Sequence, residues 1–322
     1  MIQNFQMVKV QALVPISVDI REEPNLEGVI TTIDMRSYDG NPVSDYHVIE
    51  YMKRISLGEH QDVKNVFLNG NVTPLGLRHV EKMFYAPFQA NKLNLGNIIL
   101  CAETMQWVTH LITDSSCSLR DLIVTIGPDS VHLINSFFTA LLLPCSIFKL
   151  GIQISDLNGV QMNTFTAMVA FLMRHNTTIQ YMILLTQSQS HFESYHLADI
   201  GDSLRSNLFM KEFSLIDKRI PTDGVNFLMQ GVRENISLQS IYIRTVTHIA
   251  VDDVCEMIKS NPILENVYIG LQTTEALHSL DSRLHQLLMA NTMRKAMMYK
   301  RMRSAGITQG LKSYVFKRFL LK

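Results

Sequence analysis

The chain has 322 residues, of which 47% are apolar and 18% are charged, and its formal net charge is zero. Disordered chains are poor in apolar residues and rich in charge, so disorder over most of the length is excluded. The zero net charge argues against a globally basic nucleic-acid binder, and the length allows two ordinary domains or one extended array.

The first predicted element is a strand over residues 8–20, or two short strands around Pro15, because apolar residues recur there at every second position. We predict that residues 1–24 form an N-terminal β cap, because an array of stacked units needs a cover for its open core. These residues have no basic n-region and no long apolar run, so we expect no signal peptide and predict a cytoplasmic location. A helix is predicted next, over residues 43–54.

Three apolar residues, spaced three and then two positions apart, then recur about every 29 residues. We call this set the apolar frame. In four units an asparagine opens the frame: Asn176, Asn207, Asn235 and Asn261. The middle apolar residues of the frames are Ile33, Val66, Leu93, Leu122, Leu150, Met182, Phe213, Ile241 and Val267. So regular a spacing indicates an internal repeat, since a doubly wound α/β domain usually spaces its strands less evenly.

Between the frames, apolar residues follow helical spacing, as at Phe165, Met168, Val169 and Leu172. An asparagine just past such a helix suits the left-handed conformation that ends many helices, and we expect that conformation here. Each unit is therefore predicted to be a short strand and a helix, which bury their apolar sides only when stacked on neighbouring units.

One segment, with Val63, Val66 and Leu68 followed by Asn71, matches the outline L-x-x-L-x-L-x-x-N. With its long period and a helix in every unit, the chain resembles the leucine-rich repeat family, in its ribonuclease-inhibitor-like class, over residues 25–291. The resemblance implies an α/β solenoid of about nine units, a horseshoe with a parallel sheet on the concave face and helices on the convex face. The family motif specifies a fold and not an activity.

Residues 292–322 are predicted to be a basic C-terminal cap or tail. From residue 294 onward they hold nine of the 29 basic residues and none of the 29 acidic ones, so the rest of the chain carries a charge of −9. Leu311, Tyr314, Val315 and Phe319 would share one helical face. Such a helix can cap the last unit, dock on a partner, or contact RNA or an anionic membrane. The candidate tail contacts are Lys300, Arg301, Arg303, Lys312, Lys317 and Arg318.

No catalytic motif with specific spacing occurs, and the eleven histidines are scattered. The four cysteines, Cys101, Cys117, Cys145 and Cys255, have neither C-x-x-C spacing nor metal-ligand spacing with histidine. We therefore predict that the protein is not an enzyme, and we expect no cofactor, no metal and no small-molecule substrate.

The residues between and directly beside the apolar residues of each frame are predicted to face the partner, because successive strand residues point to opposite faces. The candidate partner-binding residues on this face are Phe67, Ile123, Tyr181, Ile183, Tyr242, Arg244 and Tyr268. Tyr and Arg are enriched at interface hot spots. We expect Tyr242 and Tyr268 to be neighbours on adjacent strands.

The leading hypothesis is a non-enzymatic protein–protein interaction scaffold that binds a macromolecular protein partner on the concave face. One alternative is a structural subunit of a larger assembly, with the basic tail against RNA or a membrane. Another is a regulator of a nucleotide-binding protein, because some members of the resembled class stimulate a small GTPase. Those members typically carry an acidic tail, whereas this tail is basic.

Overall fold

Strands and helices alternate along the chain in a computed structural model that describes residues 21–24, 30–35, 43–56, 62–68, 72–187, 189–245, 251–270, 286–291, 293 and 297. The strands are β1 (Arg21–Pro24), β2 (Ile30–Met35), β3 (Asn65–Leu68), β4 (Lys92–Ile99), β5 (Asp121–Ile126), β6 (Lys149–Ser155), β7 (Tyr181–Gln187), β8 (Glu212–Ile216), β9 (Ser240–Arg244) and β10 (Asn266–Gly270). The α-helices are α1 (Asp45–Ser56), α2 (Pro74–Glu81), α3 (Ala102–Thr113), α4 (Ile134–Leu142), α5 (Gly159–His175), α6 (Ser194–Ser206), α7 (Thr222–Glu234) and α8 (Val251–Ser260). Short 3-10 segments follow α2 and precede α4, and residues 286–291 are helical.

The ten strands form one open sheet in chain order, from β1 to β10. β1 is antiparallel to β2, and every later neighbouring pair is parallel. The nine middle apolar residues of the repeat are register partners, from Ile33 opposite Val66 to Ile241 opposite Val267. The predicted alternation of strand and helix, with the frame residues side by side, is confirmed.

The apolar core lies between the sheet and the helices. Consecutive helices contact each other in chain order from α1 to α8, so the helices lie side by side as the strands do. Aromatic rings fill the middle of this layer, where Phe138 lies 5.5 Å from Phe137 and 6.3 Å from Phe165 between ring centroids. All three are fully buried, and each unit therefore buries its apolar side against the next.

Local sequence signals explain where several helices begin. The side chain of Thr73 accepts a hydrogen bond from the Leu75 N–H before α2, and Pro74 takes the first helical position. Asn158 and Gln161 cap the start of α5 reciprocally, each side chain accepting from the other's backbone N–H at 3.0 Å. The first predicted helix, over residues 43–54, corresponds to α1.

The second half of the chain is joined by what we call the asparagine ladder, which comprises Asn176, Asn207, Asn235, Asn261 and Asn291. The amide nitrogen of Asn235 donates to the backbone oxygens of Leu204 and Asn207 in the preceding unit, at 2.5 and 2.8 Å. Its side-chain oxygen accepts from the backbone N–H groups of Ser237 and Leu238, at 2.7 and 2.6 Å. Asn176, Asn207, Asn235 and Asn261 thus satisfy backbone groups of their own unit and of the unit before it, and Asn291 donates to the unit before it.

The expectation of a left-handed conformation is wrong for three of these asparagines. Asn176, Asn207 and Asn235 end α5, α6 and α7 with φ of −76°, −74° and −73° and ψ of 135°, 131° and 140°. Their backbone is extended, because the side-chain oxygen binds the next backbone N–H groups and the chain leads straight toward the following strand. The side chain therefore takes over the capping that a left-handed turn would provide.

Two glycines allow α6 and α7 to pack unusually close together. A Cβ atom added at Gly231 would lie 2.0 Å from the backbone oxygen of Gly201, and one at Gly201 would lie 2.6 Å from the backbone oxygen of Phe227. Such distances are far below van der Waals contact, so only residues without a Cβ fit at this crossing.

Candidate partner-binding surface

Alternate residues of the strands point away from the helices and form rows across the sheet. We call the middle row the central column, which consists of Phe67, Asn94, Ile123, Gly151, Ile183, Ser214, Tyr242 and Tyr268. These residues are direct register partners, and Asp34 of β2 continues the row at backbone level. Five of the seven predicted partner-binding residues therefore share one continuous row: Phe67, Ile123, Ile183, Tyr242 and Tyr268.

The central column alternates between large and small residues in its middle part. Gly151 lies between Ile123 and Ile183, and a Cβ atom at Gly151 would lie 3.0 Å from the Ile123 side chain. Ser214 lies between Ile183 and Tyr242 and is buried. In this part of the column, every second strand therefore carries a large side chain, and the strands between carry a small one.

Tyr242 and Tyr268 stack on each other at one end of the central column. Their ring centroids are 4.4 Å apart and the ring planes differ by 5°. Tyr268 is 53% exposed, whereas Tyr242 is partly buried. The pair presents an aromatic surface to solvent, and aromatic side chains dominate the energetics of many interfaces.

A second row, the charged column, runs beside the central column at the amino-terminal ends of the strands. Its register partners are Asn65, Lys92, Asp121, Lys149, Tyr181, Glu212, Ser240 and Asn266. The Lys92 ammonium lies 4.9 Å from the centroid of the Phe67 ring, within cation–π distance. Tyr181 packs against Phe148, with ring centroids 4.9 Å apart.

A third row follows on the opposite side of the central column, with Thr125, Gln153, Leu185, Ile216 and Arg244 as register partners. The structure therefore places Arg244 in line with Ile216, across the central column from Tyr181. Arg244 is exposed, and its neighbour Ile216 is partly buried.

Sequence reasoning missed two features of this third row. Leu185 and Ile216 are partly exposed apolar residues beside Ile183 and Tyr242. On β6, Gln153 accepts a hydrogen bond from the Gln187 side-chain amide of β7 at 3.0 Å. Extending the two-residue alternation by one more step along each strand would have identified these positions.

Two titratable side chains, His196 and Tyr85, have pKa values shifted by burial. His196 accepts a hydrogen bond from the Glu193 N–H and contacts the Asn163 side-chain oxygen at 2.6 Å through Nε2. Burial lowers the pKa of His196, so its ring is neutral at pH 7. Burial, followed by the hydrogen bond to Asp114, raises the pKa of Tyr85. Neither group lies on the sheet face.

Within the described ranges, no three His, Cys, Asp or Glu residues are grouped so that they could hold a metal ion. The cysteines Cys101, Cys117, Cys145 and Cys255 are free thiols.

None of the helices in the described part of the chain combines the length and the apolar character that crossing a membrane requires. The predicted strand over residues 8–20 and all six candidate tail contacts lie outside the described residues.

The chain was compared with protein families, curated proteins and solved structures. No family model matches it, and no curated protein matches its sequence. Among solved structures it is similar to "Leiomodin-1 Actin-Binding Site 2 (ABS2)", at 15% identity and a TM-score of 0.36, over 47% of this chain and 83% of that one. That TM-score is too low for any conclusion about this chain's activity.

Proposed function

We propose that the protein is a non-enzymatic protein–protein interaction scaffold, built as a leucine-rich-repeat-like solenoid whose sheet forms a concave binding face. The observation that carries this proposal is the continuous central column ending in the stacked Tyr242 and Tyr268. Parallel strands added in chain order, each followed by a helix, are the arrangement from which such solenoids are made. Apolar and aromatic burial would supply affinity, and the polar rows on both sides would supply specificity.

The test is a binding measurement with purified partner, after capture from a source extract with the intact chain as bait. We expect Tyr242→Ala and Tyr268→Ala each to weaken the complex by about 2 kcal/mol, the loss typical of a hot-spot aromatic. Phe171→Ala is the matched control, because Phe171 is 46% exposed and lies on α5, away from the sheet face. Unchanged affinity in both tyrosine variants would remove the sheet face as the binding site.

The separation of charge favours a second role for the tail. Nine basic residues lie in residues 294–322, against a charge of −9 in the rest of the chain. As a structural subunit of a larger assembly, the protein would use this tail to contact RNA or an anionic membrane. Association of the intact chain would then fall steeply as salt is raised, and a fragment of residues 1–291 would lose that salt dependence.

A further inference from the structure

The charged column holds opposite charges that do not form ion pairs with one another. Lys92, Asp121 and Lys149 are consecutive register partners on β4, β5 and β6. Across the described residues, no ion pair within 4.0 Å joins any two of them. Each side chain is partly exposed, so alternating charges remain available to a ligand.

The spacing of these charges restricts the shape of that ligand. Neighbouring strands lie about 4.8 Å apart, so the sign of the column changes every 4.8 Å or so. One turn of an α-helix rises about 5.4 Å, which brings one side chain per turn over each strand. An extended strand repeats its facing side chains every 6.8 Å or so, and polyproline II repeats every 9.3 Å or so, too far apart to meet each charge in turn.

The spacing of the large side chains in the central column also fits an α-helix that lies across the strands. Ile123, Ile183 and Tyr242 stand out on every second strand, roughly 9.6 Å apart. Two helical turns span about 10.8 Å, so apolar residues seven positions apart on a helix would fall near successive members of this set. The apolar stripe and the charged edge of one helix would therefore fit the two columns together.

We propose that the partner segment bound by the sheet face is an amphipathic α-helix lying across the strands, with acidic, basic and acidic residues one turn apart opposite Lys92, Asp121 and Lys149. Its apolar stripe packs on Ile123, Ile183 and Tyr242. This inference rests on the proposed binding function and adds the conformation and charge order of the ligand. Complementary charge order discriminates against amphipathic helices that carry other charge patterns.

The test uses two phage-displayed libraries of 18-residue peptides, selected on the full chain. One library randomises the apolar and charged positions of a helix-forming frame, and the second is identical except for a central proline. We expect binders from the first library only, with acid–base–acid order one turn apart. Synthesised binders should gain helical circular dichroism when bound, and bind at least tenfold more weakly to the triple variant Lys92→Glu, Asp121→Lys, Lys149→Glu.

Selection on that triple variant should reverse the order to base–acid–base. If the variant does not fold, the neutral triple variant Lys92→Gln, Asp121→Asn, Lys149→Gln should still abolish the preference for charge order. Absence of binders, equal enrichment of the proline library, or binding indifferent to charge order would overturn the proposal. If Tyr242→Ala still weakens the native complex in that case, the sheet-face function stands and the helical ligand alone is rejected.

Discussion

From α5 onward the helices end in asparagines of the ladder, whereas α3 ends in Asp114 and α4 in Leu143. Asp114 accepts a hydrogen bond from the Ser116 N–H at 2.8 Å, much as a ladder asparagine accepts from its own unit. A carboxylate has no hydrogen to donate. The hydrogen bond to the preceding unit therefore runs in the opposite direction, and the Tyr85 hydroxyl donates to Asp114 at 3.0 Å.

This difference distinguishes a side chain that caps its own helix end from one that also joins two neighbouring units. In the first half, Asp114 caps its own helix end and depends on a donor from Tyr85. In the second half, one buried amide both caps its own unit and binds carbonyl groups of the preceding one. We therefore expect the second half to unfold as a tightly coupled block and the first half to tolerate more variation at its helix ends.

The largest expected effect comes from removing a ladder side chain. Asn235→Ala leaves buried backbone groups of two units without partners, and we expect the free energy of unfolding to fall by about 4 kcal/mol. Asp114→Ala should cost less, because its side chain is only partly buried. Urea unfolding checks both, with Asn226→Ala on the exposed face of α7 as the control. Equal losses for Asn235 and Asp114 would contradict the distinction between the two halves.

The next effect concerns the close crossing of α6 and α7. Gly231→Ala forces a methyl group against the Gly201 backbone, and we expect a loss of about 3 kcal/mol in thermal or urea unfolding. Gly159→Ala is the matched control, because a Cβ atom there meets nothing within 4 Å at the start of α5. A Gly231→Ala variant as stable as the control would show that these helices can separate without cost.

A smaller effect is the acid sensitivity of the second half. The folded state holds His196 neutral with a lowered pKa, so the unfolded state binds the proton more readily. Stability should therefore be unaffected above pH 6.5 and decrease as the pH falls below that ordinary histidine value. Unfolding free energies at pH 7.5 and 5.5 should differ less in His196→Gln than in the native protein. His132→Gln, at an exposed position in the first half, should retain the native difference.

The sheet register could be predicted from the sequence because the apolar frame is a local and repeated signal. Val66, Leu122 and Phe213 each show it within a few residues, and strand alternation then determines which neighbours face outward. The conformation of Asn207 could not be predicted in this way. Its side chain donates to the Met173 oxygen in another unit, a contact that becomes visible only when the units are stacked.

The outward-facing rows of the candidate surface could be predicted to the same extent. The central column follows from alternation, and so does the adjacency of Tyr242 and Tyr268. The position of Arg244 beside Ile216 follows from the same register, three residues along from Phe213 and Ile241. The face-to-face stacking of the two rings depends on how neighbouring strands twist, which is a relation between units that the residues of a single unit do not determine.

The ladder extends past β10, where the Asn291 amide donates to the backbone oxygens of Ile258 and Asn261 at 3.0 and 2.9 Å. Those carbonyls are buried near the end of the sheet, so a shortened protein that stops before position 291 would leave them unsatisfied in the interior. Anyone trimming this chain for crystallisation or for mapping interactions should therefore cut after that asparagine, since an earlier cut would loosen the last unit and mimic a loss of binding.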